Sequence, residues 1–595
     1  DDGSEGEQAP AEWVGAMRAS GMLTEIALPP LEAADTARLA ERISGRSLRE
    51  PDVRLLQAAT GGFPLFIVEA IRESQDLGQG AMPVGDLSAV LRNRLEQVSA
   101  AGREIARLAA AVGTDFTLGL LAEASDLAAD AVVGAVDELW RLRILQEFRD
   151  GYDFSHDLLR DAAYGQISPP KRWLLHRRIA QGLELLHAGS TDQVAAQLAA
   201  QYARGGQPQR AVVYYARAAE LAARVFAHAE AIRLHNQALA VIYGMPAGID
   251  RDSRELTILE AVGAPLNARY GYASPELQRT LERSIELAQS LGRREALLTG
   301  LVALNTSQFV QGRTAEGERT AAKALALAEP GSHLSGHAHF CYGGTVLSLG
   351  QPAEAVRHLD LVARQTSGAM FLTVGTRPDV HSPAWKAHAH WLLGNAEGAV
   401  ETCREAIATA RTVGHPYSMA VALAYAGITY QFCGRLTELS ETVTELRELC
   451  DRHDFAYYRE WGLIQAGWLA GGEYGIGLVR EGIGNLRSAG AFARMPYWLS
   501  LLGDLMGREG RREAAMATLD GAVVMGRAHD DVWWLPEVQR MRAAYDDDDH
   551  AALERLGAAA AMAEAHGSLA LLRRCEADIA KRGVRGGVSG VRREA

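Results

Sequence analysis

Cysteine is scarce in this 595-residue sequence: Cys341, Cys403, Cys433, Cys450 and Cys575 are all there is, none spaced as Cys-x-x-Cys. That excludes a disulfide-built scaffold and a structural zinc set, and it suits a reducing, cytoplasmic setting. No apolar run approaches the roughly 18 to 20 residues that a membrane span needs. The first residues are acidic and polar (Asp1, Asp2, Glu5, Glu7), the reverse of a secretory leader. Basic residues are outnumbered, 61 Lys and Arg against 74 Asp and Glu, which argues against broad electrostatic capture of nucleic acid. Aromatics are only 7% of the chain, so close helix packing must rest on its abundant alanine and leucine. Catalytic signatures are missing too. There is no Gly-x-x-x-x-Gly-Lys-Ser/Thr loop to cradle phosphates, no apolar strand ending in paired acids, and no Gly-x-Ser-x-Gly or His-Glu-x-x-His. The chain by itself is expected not to be an enzyme.

What is present is repetition. Gly206, Gly350, Gly394 and Gly510 are each followed five residues later by alanine (Ala211, Ala355, Ala399, Ala515). Gly312, Gly434 and Gly472 continue the series, with Gly317, Leu439 and Gly477 at the fifth place. From Gly312 onward the intervals are 38, 44, 40, 38 and 38 residues. Small and large apolar residues flank each glycine in the tetratricopeptide manner, as with Leu198, Ala199 and Tyr202 before Gly206 and Ala211, Tyr215 and Ala218 after it. The usual unit is about 34 residues, so these imply longer helices or loops. Each unit buries its apolar face only against its neighbours, and the stack makes a curved superhelix. The fold class expected is all-α, with a tetratricopeptide-like α-solenoid over 169–595. Its concave surface would take a protein or small-molecule signal.

The first 168 residues differ. Residues 1–21 read as a tail or the remnant of another domain. Residues 22–31 (MLTEIALPPL) read as a short strand stopped by Pro29 and Pro30. Helices follow near 35–43 and 50–59, then Gly61, Gly62, Phe63 and Pro64 make a rigid corner before LFIVEAIRES. Helices near 87–98, 101–112, 116–124 and 129–143 precede a β-hairpin. Its arms, Ile144 to Phe148 and Tyr152 to Phe154, flank a turn of Arg149, Asp150 and Gly151. Helices followed by such a hairpin read as a winged helix. Ser155, His156 and Asp157 then open a helix through Tyr164, where a polar side chain near the N-terminus serves the free amides.

Three segments carry a family resemblance: TGGFPLFIVEAI, VDELWRLRILQEFRDGYDFSHDLLRDAAY and ISPPKRWLLHRRIAQGLE. Together they resemble the lid and winged-helix parts of STAND-class signalling ATPases. The order of strand, lid helices, GxP turn, winged helix and tetratricopeptide repeats is also similar. The likeness runs over essentially the whole chain and is nearest to bacterial regulators that place this module behind a SARP-type transcriptional activator domain. Class III nucleotide cyclases with ATPase and repeat regions are similar through ARYGYASPELQRTLERSIELAQSLG at 268–292. The resemblance implies a lid at 22–80 and a winged helix at 81–168. It also implies ADP or ATP as cofactor of the longer protein: Pro64 would pack on the adenine, and His156 would reach the β-phosphate of ADP with Ser155 and Asp157 beside it. Ser155 stands where the plant and animal receptor branch carries methionine. The lack of a phosphate loop then implies that the chain starts partway through an ATPase. DNA would be met only through an upstream domain, and activation could assemble an oligomer. A standalone repeat scaffold for protein–protein interaction and the regulatory region of a cyclase are the competing readings.

Other groupings lead elsewhere. His333, His337 and Cys341 recur every fourth residue with His339 nearby, but no acid or second cysteine completes a metal site, so they read as packing groups. His388 and His390 beside Trp391 read the same way. The four aspartates at 546–549 read as a solvated turn. Arg141 and Arg143 are too diluted by Asp130, Asp137 and Glu138 to make the helix at 129–143 a groove reader.

Overall fold

The computed structural model describes residues 29–76, 87–332, 334–365, 375 and 377–591. Residues 1–28, which hold the tail and most of the expected strand, lie outside the described residues; Pro29 to Glu32 are irregular. The fold is all-α, with a single two-stranded sheet among the described residues. It divides into two compact units, 1–207 and 208–595, so the division falls inside the first glycine-marked repeat.

In the first unit, helices Ala33–Ser44, Glu50–Thr60 and Pro64–Asp76 pack around Ala40, Leu56, Ile67 and Ile71. Helices Leu87–Glu96, Ala100–Val112, Leu118–Ala124 and Ala129–Arg141 follow, each within about three residues of expectation. The hairpin pairs Leu145–Phe148 with Gly151–Phe154 in antiparallel register. Its turn departs from the sequence reading. Arg149, not glycine, takes the left-handed conformation (φ 51°), and Gly151 already belongs to the second strand. Glycine is needed there because the Phe116 backbone bridges to Tyr152, and a Cβ on Gly151 would lie 2.6 Å from the Phe116 carbonyl oxygen. A buried polar chain staples the unit. The Tyr164 hydroxyl meets His176 Nε2 at 2.9 Å, His176 Nδ1 meets Gln201 Oε1 at 2.6 Å, and Gln201 Nε2 donates to the Ala111 and Val112 carbonyls. Those carbonyls close the helix Ala100–Val112 and would otherwise be orphaned.

The second unit is a ladder of helical hairpins. Gly312, Gly350, Gly394, Gly434 and Gly510 all have φ between 68° and 85° and sit in the tight turn between the two helices of a hairpin. Gly350 is doubly constrained, since a Cβ there would also lie 2.8 Å from the His566 ring. The two helices of each hairpin differ in kind. The second is amphipathic: Leu436–His453 buries five of its 18 residues. The first is buried nearly all round: 15 of 17 residues in Pro416–Phe432, 12 of 14 in Ser335–Ser348 and 11 of 14 in Met495–Arg508. A helix apolar on every side lies inside a larger core.

The reason is that the superhelix closes on itself. The Phe492 and Ala493 amides both donate to the carbonyl of Val310, the last residue of Arg294–Val310, at 2.7 and 3.0 Å. The Val532 and Trp533 amides do the same for Ser348, the last residue of Ser335–Ser348, at 2.9 and 3.2 Å. Both contacts span about 180 residues, between four and five hairpins. Each turn therefore caps the helix ends of the turn before, supplying donors that those C-termini lack. The concave side of the superhelix is thus packed over these helices, with Trp461, Trp498, Trp533, Tyr458 and Tyr497 among the largest fully buried side chains.

Candidate functional site

Two regions merit chemical reading, one in each unit. In the first, the Gly61–Gly62 turn (φ 61° and 80°) is tied down by backbone pairing, Leu31 N–H to Gly62 C=O at 2.8 Å. Gln57 Nε2 donates to the Leu31 carbonyl at 2.7 Å, and any Cβ on Gly62 would collide with that carbonyl. The turn therefore presents Phe63 and Pro64 outward, Phe63 about half exposed and Pro64 exposed as the first residue of Pro64–Asp76. Proline suits that position because its missing N–H would be unpaired anyway.

His156 is the N-cap of Asp157–Gly165. Its backbone is extended (φ −157°, ψ 142°) and its Nδ1 accepts the Leu158 amide at 3.3 Å. The cap fixes the tautomer: Nδ1 is the acceptor, so in the neutral ring Nε2 carries the proton. Ser155 is engaged elsewhere, its Oγ donating to the Arg143 carbonyl at 2.7 Å, and Asp157 pairs with Arg160 at 2.9 Å. No hydrogen bond, ion pair or ring contact links Pro64 to His156 among the described residues. Arg141 is paired with Asp137 at 2.6 Å.

In the second unit, chemistry concentrates inside the superhelix, at residues that periodicity alone did not single out. Arg494, in a left-handed turn (φ 59°) before Met495–Arg508, has no exposed surface. Its guanidinium lies over the rings of Tyr425 and Trp533, 5.2 and 4.9 Å from their centroids. None of its three nitrogens finds a hydrogen-bond acceptor among the described residues. The Tyr425 hydroxyl lies beside both the guanidinium and the Trp385 indole, which draw its burial-raised pKa back down. Asp531 is the nearest acid, but its carboxylate takes the Arg494 backbone amide (2.7 Å) and forms no ion pair with the side chain. Burial pushes the Asp531 carboxyl up to about 6 against the pull of Arg494.

From Pro378–Leu392, His381, Trp385 and His388 project into the same interior. His388 stays a packing histidine in one respect, with Nε2 on the Tyr425 carbonyl at 3.1 Å. Its Nδ1, both nitrogens of His381 and the indole N–H of Trp533 have no hydrogen-bond partner among the described residues. Burial, then Arg494, lowers the His381 pKa to about 3. A cleft of about 360 Å3 lies between Phe226, His228, Pro265, His415 and Tyr417.

The remaining candidates resolve simply. His333 lies outside the described residues. Cys341 is buried with its thiol donating to the Val302 carbonyl at 3.5 Å, and burial raises its pKa, so it is inert. No group of three metal-ligating side chains occurs among the described residues. His390 is near Thr402 at 3.3 Å. The aspartates at 546–549 are not simply a solvated turn. Asp546 is half-buried and accepts from Arg542 and Arg555, while Asp547, Asp548 and Asp549 are exposed as a solvated turn would be, Asp548 also capping Asp549–Ala565 through two amides. A buried cation nearby and a helix start each draw in one acid. No helix among the described residues is long and apolar enough to cross a membrane.

No family profile matches the chain. An uncharacterized protein of Rhizobium meliloti (strain 1021) is 25% identical over 618 residues, taking in 96% of this chain and 58% of the relative. The chain thus spans a little over half the length of that relative. Solved structures similar to it include a STAND protein with a tetratricopeptide repeat sensor from Pyrococcus horikoshii (TM-score 0.42, 12% identity, 90% of this chain and 73% of that one). A Rap protein complexed with Competence and Sporulation Factor follows (0.37, 13%, 53% and 98%). The Cut9–Hcn1 hetero-tetramer of APC/C is a third (0.32, 12%, 71% and 93%).

Proposed function

We propose that the chain is the regulatory and sensor region of a STAND-type ATPase that controls transcription, with a SARP-type activator domain as its output. The repeat superhelix receives a protein or small-molecule signal, and the first unit helps to clamp ADP. What carries this reading is the conjunction, in the first unit, of a Gly-Gly-Phe-Pro turn held rigid by Leu31 and a histidine at a helix N-terminus whose Nε2–H is free to donate. A helix N-terminus and an imidazole donor both favour phosphate oxygens. A flat, exposed proline suits the face of a base. Nucleotide hydrolysis would require a core that this sequence does not contain, so the chain acts on the switch without being its enzyme.

In the switch, ADP held against Pro64 and His156 favours the closed state, and a signal on the repeats favours the open one through its greater affinity for it. The test is ADP content, measured after denaturing the polypeptide that includes the ATPase core. His156→Ala should weaken ADP retention about tenfold or more, the worth of a charge-assisted hydrogen bond, and raise basal output. Unchanged nucleotide affinity removes His156 from the site.

A further inference from the structure

The cleft of about 360 Å3 is of the size of small-molecule pockets, about 300 to 1,000 Å3. Its walls come from parts of the chain far apart in sequence: Ala223 on Pro208–Arg224, Phe226 in the turn that follows, Pro265 on Ile249–Tyr270, and His415 and Tyr417 at the start of Pro416–Phe432. Beside it, Asn267 Nδ2 donates to the Tyr417 hydroxyl at 2.9 Å and Arg269 pairs with Asp454 at 2.9 Å, which fastens these parts together. Phe226 is the strained member. Its φ of 59° is the left-handed conformation that Gly312, Gly350, Gly394, Gly434 and Gly510 take in their own hairpins. In a bulky residue that is an outlier, held only where the surroundings over-determine it. The Phe226 ring stands among the imidazoles of His228, His415 and His453, with centroids 6.1, 5.9 and 5.0 Å away. The turn thus sets an aromatic wall on the cleft where glycine would leave none. Among the described residues that line the cleft, none brings an unanswered charge. Arg224 is paired with Glu220, and burial lowers the pKa of His228 and His415, the latter to about 4, so both rings are neutral at pH 7.

We propose that this cleft binds a small, uncharged aromatic molecule, its ring system packed against Phe226, Pro265 and Tyr417. Flat walls suit a flat ligand, and ring pairs add attraction beyond the area they bury. Charge is selected against, because a charged ligand would leave water for a cleft in which no opposite charge waits unpaired. The walls that meet at Asn267 and Tyr417 lie 150 residues apart in sequence. A ligand between them therefore holds together two stretches that only superhelical closure makes neighbours. The site gives a ligand class to the sensor reading of the superhelix, on which its regulatory meaning rests, but binding there needs neither ADP nor an ATPase core.

The test uses this chain alone, so that its result stands apart from the nucleotide experiment. The probe is 2-naphthol, with 2-naphthoate as the anion on the same rings and 1-octanol as an uncharged molecule without rings. Equilibrium dialysis and the thermal midpoint are the readouts. 2-Naphthol should be retained in a saturable way at one site and raise the midpoint by mass action. 2-Naphthoate should bind about tenfold or more weakly, and 1-octanol should displace 2-naphthol only at much higher concentration. Ala223→Trp, on the half-buried face of its helix, fills the cleft and should abolish binding. Phe226→Gly removes the ring from a backbone conformation in which glycine is at home, and should weaken 2-naphthol about tenfold in a protein that still folds. No saturable retention, naphthoate held as tightly as naphthol, octanol competing as well as naphthol itself, or binding that survives both substitutions would each overturn the proposal.

Discussion

Mild acid should destabilise the second unit, although one of its carboxyls, Asp531, titrates in the same range. His235 and His381 are 3% and 2% exposed, and burial lowers their pKa from 6.5 to about 4 and about 3. In the unfolded chain both would protonate near 6.5. A group whose folded pKa is depressed in this way binds fewer protons folded than unfolded, so its stabilising contribution is complete above pH 6.5 and is lost as the pH falls toward the folded value. Each pH unit costs about 1.4 kcal/mol per histidine. Asp531 works in the opposite sense. Its folded pKa of about 6 lies above the ordinary 3.8, so the folded state gains by taking up a proton as pH falls from 6 to 3.8. At pH 5.5 the two histidines together have cost about 3 kcal/mol and Asp531 has returned under 1, leaving a net loss of about 2 kcal/mol. Against a total stability of about 5 to 15 kcal/mol that is a large fraction. His388, fully buried and also lowered, adds to the loss.

The assay is urea unfolding at pH 7.5, 6.5 and 5.5 followed by tryptophan emission, which favours the second unit because seven of the ten tryptophans fall between 385 and 534. The midpoint should hold between pH 7.5 and 6.5 and drop by pH 5.5. Replacing both histidines by leucine should flatten the drop. A midpoint unchanged at pH 5.5, or a drop of the same size in the double variant, refutes the reasoning.

Two stability predictions follow from the packing. Gly344→Ala would place a Cβ inside the Trp385 ring, and should cost about 1 to 3 kcal/mol by overpacking; a wild-type urea midpoint would show that the ring has room to move. Glu537 is 4% exposed and accepts at 2.8 Å from both Arg540 and Arg574, so Glu537→Ala, which takes the carboxylate from Arg574 and leaves Arg540 with Asp578 alone, should cost about 3 kcal/mol. The half-exposed Glu220 also has two arginine partners, Arg217 and Arg224, yet its alanine variant should lose under about 1 kcal/mol. Equal losses in the two variants would mean that burial is not what sets their worth.

The hairpin ladder was legible because its signal is local. A left-handed residue between two helices needs glycine, and the need recurs at each unit. The same locality made the helices of the first unit and the hairpin near 145–154 readable. Gly151 shows the limit, since its constraint comes from Phe116, 35 residues away, and not from its own turn. A second ladder went unread: Pro378, Pro416, Pro496 and Pro536 each stand in the first turn of an inner helix. Superhelical closure could not be read at all. A period near 38 residues sets the size of a hairpin, but the angle between successive hairpins decides whether Val310 meets Phe492. Arg494 was illegible for the same reason, since nothing in Ala-Arg-Met-Pro says that Tyr425 and Trp533 will enclose it.

Closure and interior chemistry constrain each other. Arg494 has no exposed surface, so a solute reaches it only after part of the wall has moved. The wall is held in part by the paired amide contacts to Val310 and Ser348, and the residues that make them flank Arg494 and Asp531 in sequence: Phe492 and Ala493 precede Arg494, while Val532 and Trp533 follow Asp531. The Arg494 amide on Asp531 joins the two loops directly. Any change at Arg494 or Asp531 therefore acts on the same short segments that fasten one superhelical turn to the next.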